Sequence, residues 1–186
     1  MKKSKNILIS IFCIVFLLAG SVPPLYGAVK VPAPSELFYV ADFAGVLSGE
    51  TTNYIIEQND NLYLQTGAQI VVATVDFLDG AEIEDYAYTM FNQWGIGSEE
   101  KNNGILLLLV IGEENYWIVQ GKGLEERLSS GLLGDLLYEY LEPDFAKGDY
   151  DAGVRKTFDA LLEEMGKIYD FSPAGEIGSG EKAENS

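Results

Sequence analysis

Hydrophobic and polar positions along this chain fall into blocks of distinct period. Residues 105–111 form an unbroken apolar run. A polar turn at residues 112–115 follows, and then the aromatic and β-branched segment Tyr116-Trp117-Ile118-Val119-Gln120. This order predicts a buried strand hairpinned to a second strand. A hairpin brings its outer ends together, so Asn102-Asn103-Gly104 is expected beside Gly121-Lys122-Gly123. Two glycine-rich turns side by side, with amides and the nearby carboxylate of Glu125, make the expected ligand edge.

The pattern elsewhere alternates strands and helices. A short strand is expected at residues 37–40. Ser48 is placed to cap a helix running to about Gln65, with Thr66-Gly67 ending it. Residues 68–75 are apolar and β-branched, a strand. Asp79-Gly80-Ala81-Glu82 reads as a capping box before a helix whose Ile83, Tyr86, Ala87, Met90, Phe91 and Trp94 share one face. Ser130 is expected to cap a helix that ends near Pro143, and Asp149 a last helix carrying Val154, Phe158, Leu161, Leu162 and Met165. This order predicts an α/β fold: a three-layer α/β/α sandwich with a mixed, mostly parallel sheet of about four strands and a β-hairpin. The crossover between residues 68–75 and 105–111 is expected to be right-handed.

The N-terminus changes the picture of where the chain works. Lys2, Lys3 and Lys5 precede an apolar stretch at residues 7–20, Pro23-Pro24 breaks it, and Gly27 offers a small residue before Ala28. Residues 1–27 read as a secretory signal peptide, since a membrane span needs roughly 20 apolar residues. The expected location is secreted or extracytoplasmic, in the cell envelope, with no membrane insertion after cleavage. Residues 28–36 read as a Pro-bearing linker, 37–168 as the domain, and 169–186 as a disordered polar tail.

Composition then excludes function classes. The chain has no histidine, and its single cysteine, Cys13, lies in the signal segment. Ser-His-Asp, Cys-His and thiolate-zinc chemistries are therefore absent. No P-loop, GxSxG or HExxH motif occurs. The formal charge of −17 falls to −20 on removing residues 1–27, which hold three lysines and no acid. Such a chain repels nucleic acid and anionic lipid, and suits cations, basic partners or simple solubility as a monomer.

An ordered set of short motifs carries a family resemblance. They are Val40-Ala41-Asp42-Phe43-Ala44-Gly45-Val46-Leu47-Ser48, Thr66-Gly67-Ala68-Gln69-Ile70, Ile83-Glu84-Asp85-Tyr86-Ala87 and Trp94-Gly95-Ile96-Gly97. Lys101-Asn102-Asn103-Gly104, Gly121-Lys122-Gly123-Leu124-Glu125, Pro143-Asp144-Phe145 and Gly148-Asp149-Tyr150-Asp151 complete the set. Together they resemble the TPM domain family over about residues 38–165. The resemblance implies an exported or membrane-tethered α/β/α domain. Its members are associated with photosystem repair, auxiliary roles at receptors, divalent-cation binding and, in plants, acid phosphatase activity. Many bacterial members continue into a transmembrane helix and a Gly-rich tail, whereas this chain has a short polar tail after Phe171.

Asp42 matches the family's first acidic position. It reads as a cation ligand or as an Asx-turn before the helix. Asn103 reads as a carbonyl ligand or a tight-turn residue, and Glu125 as a ligand or a helix-dipole partner. Gly104, Gly121 and Gly123 supply ligand-edge backbone or simply end strands. Hard oxygen donors favour weakly bound Ca²⁺ or Mg²⁺. The expected function is a non-enzymatic accessory domain that binds such a cation and an envelope or extracellular protein partner, in the membrane or outside it. The alternatives are a metal-dependent acid phosphatase-like hydrolase and a structural envelope protein without a specific ligand.

Overall fold

A computed structural model describes residues 29–173. The signal segment and most of the polar tail lie outside the described residues. The elements are β1 (Val40–Asp42), α1 (Gly49–Thr66), β2 (Gln69–Val75), α2 (Ile83–Trp94), β3 (Gly104–Val110), β4 (Asn115–Gln120), α3 (Ser130–Leu136), α4 (Glu142–Phe145) and α5 (Tyr150–Tyr169). A π-helical turn, Leu137–Leu141, joins α3 to α4.

The four strands form one sheet in the order β1-β2-β3-β4. β1, β2 and β3 are parallel, and β4 returns antiparallel to β3. The sheet is mixed and mostly parallel, as the sequence pattern predicts. Period-2 alternation divides the core. Ile70, Val72, Ile105, Leu107 and Leu109 face α1, α3 and α5. Val71, Ala73, Val75, Leu106, Leu108 and Val110 face α2. Every residue of β3 is buried, which accounts for its unbroken apolar sequence. Each such leucine contributes on the order of 1.5–3 kcal/mol relative to exposure.

The two parallel crossovers step the same way across the sheet, yet α1 packs on one face and α2 on the other. They therefore have opposite hands, and one of them departs from the usual right-handed rule.

Local signals set most helix ends. Ser48 caps α1 by accepting from Thr51 N–H at 3.1 Å, and Gly67 closes it at φ +74°. Asp149 caps α5 through Ala152 N–H. Two expected caps differ. Asp79 does not cap α2: it lies in a turn at φ +54°, and Glu82 holds the cap position without a side-chain bond. Ser129, one residue earlier than expected, caps α3 through Leu132 N–H. Pro143 does not end the third helix. The chain stays helical through the π turn to Phe145, and the proline, whose missing N–H cannot continue the bond ladder, stands just after that π turn.

Helix α5 runs to Tyr169, Phe171 is buried in the core, and Ser172 O accepts from Asn61. Packed structure thus continues past residue 168. The linker is docked as well: Val29 and Val31 pack against the α2 layer, and Trp94 Nε1–H donates to Pro32 O at 2.9 Å.

Two polar side chains, buried Asn59 and half-buried Asp151, lock layers together. Asn59 on α1 reads the backbone of Ile70, accepting from its N–H and donating to its carbonyl, at 2.8 and 2.9 Å. Asp151 of α5 accepts from Ser48 N–H, Ser48 Oγ–H and the Thr51 hydroxyl, joining the N-termini of α5 and α1.

Candidate functional site

The hairpin ends do meet. Gly121 N–H donates to Gly104 O at 2.8 Å, and Gly123 N–H donates to Asn102 O at 2.9 Å. The approach is so close that a Cβ at Gly121 or Gly123 would collide with the carbonyl of Asn102 or Lys101. These glycines serve backbone-to-backbone packing at the amino edge of the parallel strands.

Asn103 is fully buried there, and its amide is committed within the domain. Its Oδ1 accepts from Ser98 N–H at 3.0 Å, and its Nδ2 donates to Tyr169 Oη at 3.1 Å and Thr66 O at 3.5 Å. Its carbonyl oxygen is buried and engaged by Ser98 N–H. Glu125 is exposed and lines two surface grooves, one of them shared with Lys101, Lys122 and Arg127.

Asp42 is not at this edge. It ends β1 and pairs with Thr74, which pairs with Leu109, whereas Gly104 pairs with Gln69 at the start of β2. Five residues of strand, about 17 Å, separate the two levels. A single cation site built from Asp42, Asn103 and Glu125 is therefore excluded by the topology. Asp42 follows a parallel strand and Asn103 precedes one, and such positions lie at opposite ends of the sheet.

The Asp42 carboxylate is itself heavily used. Oδ1 accepts from Val46 N–H at 3.1 Å and from the Thr74 hydroxyl at 2.5 Å, and Oδ2 accepts from Leu47 N–H at 2.9 Å. Thr74 Oγ1 in turn accepts from Ala44 N–H at 3.2 Å. This ring of bonds holds the 43–48 turn against β2. Of roughly four lone-pair positions on a carboxylate, one on Oδ2 stays open.

The surroundings of Asp42 have the form of a ligand edge. The connections after β1 and β2 leave toward opposite faces, and the crevice between such connections, at the carboxyl ends of parallel strands, is where ligands of open α/β sheets bind. Phe43 and Phe77, on the two loops, are exposed. Asp76 and Asp79 are exposed on the second loop. Glu113, from the hairpin turn, steadies that loop by accepting from Leu78 N–H at 2.8 Å.

This donor set offers one open carboxylate position, on Asp42. It does not fit a tightly enclosed ion, since among the described residues no three carboxylates converge on one point. The marked titration shifts lie elsewhere. Tyr116 is pushed up to about 12 by burial and by the Glu142 carboxylate its hydroxyl donates to. Asp144 is held below the usual carboxylate range by Lys156, 2.5 Å away.

The family model of the TPM domain matches residues 40–164. The chain belongs to the TPM domain family. Three solved structures are similar to this TPM domain. The N-terminal domain of a P. gingivalis protein shares 28% identity at a TM-score of 0.66, covering 72% of this chain and 85% of that one. The BA42 protein of the psychrophilic bacterium Bizionia argentinensis shares 17% identity at a TM-score of 0.58, over 68% and 86% of the two chains. The N-terminal domain of the cg2496 protein from Corynebacterium glutamicum shares 20% identity at a TM-score of 0.51, over 86% and 99%. The last two likenesses concern the fold. No curated protein matches the chain.

Sequence reasoning did not single out Thr74, although a lone hydroxyl in the apolar run 69–75 is a visible signal for a side chain that must find a partner.

Proposed function

We propose that this TPM domain is an exported, non-enzymatic interaction module that takes a divalent cation weakly at the carboxyl edge of its sheet, where it also meets a protein partner. One observation carries the reading: Asp42 stands at the switch point between two loops that bear the exposed rings of Phe43 and Phe77 among carboxylates. Exposed aromatic rings beside acids suit a partner surface, and one open carboxylate position suits hydrated Ca²⁺ or Mg²⁺. Few fixed charges per site argue for an affinity on the order of 10⁻⁴ to 10⁻³ M. The leader-like pattern at residues 1–27 supports a place outside the cytoplasm.

Titration of Ca²⁺ into ¹⁵N-labelled protein tests this. Amides of residues 42–46 and 76–80 should shift together and saturate, while those of residues 102–104 and 121–125 stay still. Asp42→Asn should abolish saturation, with retained amide dispersion showing that the variant is folded. Shifts spread over all acidic helix faces without saturation would leave only a counterion atmosphere and defeat the cation reading. Hydrolysis of p-nitrophenyl phosphate that is stimulated by Mg²⁺ and lost in Asp42→Asn would replace the non-enzymatic reading with the phosphatase alternative.

A further inference from the structure

We infer that the outer edge of β4 is a docking site for an extended, basic segment of a partner protein, which adds to the sheet as a fifth strand. The site lies at the far lateral edge from β1 and does not depend on cation binding.

The phase of the β3–β4 ladder is fixed by the bond from Gly121 N–H to Gly104 O. Antiparallel pairs alternate, so residues 115, 117 and 119 turn their main-chain groups toward β3, and residues 116, 118 and 120 turn theirs outward. Tyr116 N–H is taken by its neighbour, the Asn115 side chain, at 2.9 Å. Ile118 and Gln120 present their N–H and C=O groups to the open edge, and among the described residues no strand pairs with that side. Gln120 also carries a buried Oε1 that has no hydrogen-bond partner among the described residues.

Folded proteins normally guard such an edge with charge, proline, a bulge or extreme shortness. The other edge strand, β1, has three residues and ends in Asp42. β4 has six residues, Asn-Tyr-Trp-Ile-Val-Gln, with no charged side chain and no proline. It lies instead in a groove of about 590 Å³, walled on one side by Tyr88 of α2 and on the other by Leu133 of α3 and Leu137 just after α3. Helices of both outer layers thus flank the edge, leaving a slot along residues 117–120, about 13 Å of strand.

Main-chain pairing along an edge supplies affinity, and alternate side chains of the added strand supply specificity. Here one set would meet Trp117 and Tyr88 and the other Leu133 and Leu137. The charged residues lining the groove are Glu84 and Glu125, with no lysine or arginine among them. The complement is a short β-forming segment with apolar residues at its centre and Lys or Arg at its ends.

The probe is the peptide acetyl-Lys-Val-Ile-Val-Lys-amide, titrated into the ¹⁵N-labelled protein. It should bind saturably, move the amides of residues 117–120 and of Tyr88 and Leu133, and slow hydrogen exchange at Ile118 and Gln120. Two variants keep the fold and should each weaken binding about tenfold or more. Gln120→Pro removes an outward N–H that the β3 ladder does not use. Gly134→Phe fills the groove from a helical position whose Cβ has open space. A peptide N-methylated at alternate residues should lose binding, which separates strand addition from simple apolar contact. Absence of saturable binding at several millimolar peptide, or equal binding of the N-methylated peptide, would overturn the inference. Concentration-dependent dimerisation with broadening confined to β4 amides would assign the edge to a second copy of this chain and overturn it as well.

Discussion

Replacing Asn103 with alanine separates a ligand from an architectural residue. The side chain is fully buried, so none of its hydrogen bonds is replaced by bulk water when it is cut away. Ser98 N–H loses its acceptor outright. The Tyr169 hydroxyl, half-buried, loses a donor, and Thr66 O keeps the Lys101 ammonium at 2.8 Å. One orphaned, half-buried donor costs about 1–2 kcal/mol, and the remaining lost bonds bring the total to about 2–3 kcal/mol. At about 2.1 cal/mol/K per residue, the roughly 145 described residues give an unfolding entropy near 0.3 kcal/mol/K. The melting temperature should therefore fall by about 8 °C, read by calorimetry. Asn103→Asp extends the test. Its carboxylate could still accept from Ser98 N–H but would face Thr66 O while buried, so its folded-state pKa is raised. That variant should be most stable at acid pH and lose stability as pH rises through the raised pKa. A loss below about 0.5 kcal/mol for Asn103→Ala, combined with weakened Ca²⁺ shifts, would refute the reasoning and restore Asn103 as a ligand.

Two further outcomes follow from the same structure. Tyr116, pushed up to about 12, favours its protonated form in the folded state. Its contribution to stability is complete below pH 10 and is lost as pH rises from 10 toward 12; absorbance at 295 nm should show a late-ionising component that moves down in Glu142→Gln, beside the other raised tyrosines, Tyr39, Tyr54, Tyr86 and Tyr140. Gly123→Ala forces a methyl group into the Lys101 carbonyl and should cost about 1–3 kcal/mol in urea unfolding, without altering Ca²⁺ shifts at residues 42–46.

Much of the architecture is legible in the chain because its signals are local. Ser48 and Asp149 act within three residues of themselves, so their caps can be read directly. The apolar run of β3 reports burial on both faces, and the face of α2 reports its layer. Asp79 misleads because Asp-Gly favours a left-handed turn as readily as a cap. The site is less legible, since it depends on how strands align. The parallel strand order in the sequence nevertheless implies that Asp42 and Asn103 lie at opposite ends of the sheet. What no local signal carries is that the Asp42 carboxylate would be taken up by Thr74, 32 residues away.

The reach of Asp151 bears on the order in which the chain becomes native. It closes the N-terminus of α1 across 103 residues at Ser48 and 100 at Thr51. The chain entropy of so long a closure is lost before the contact returns anything. Helix α1 is made early by any process that delivers the chain from its N-terminus, yet its first turn gains this partner only when α5 arrives. Until then the α1 face of the sheet also lacks Val154, Phe158, Leu161 and Met165. Folding should thus wait on the last sixth of the described residues. A growing chain stays pliable until nearly its whole length is available, and then closes in a slow, cooperative step set by non-local contacts.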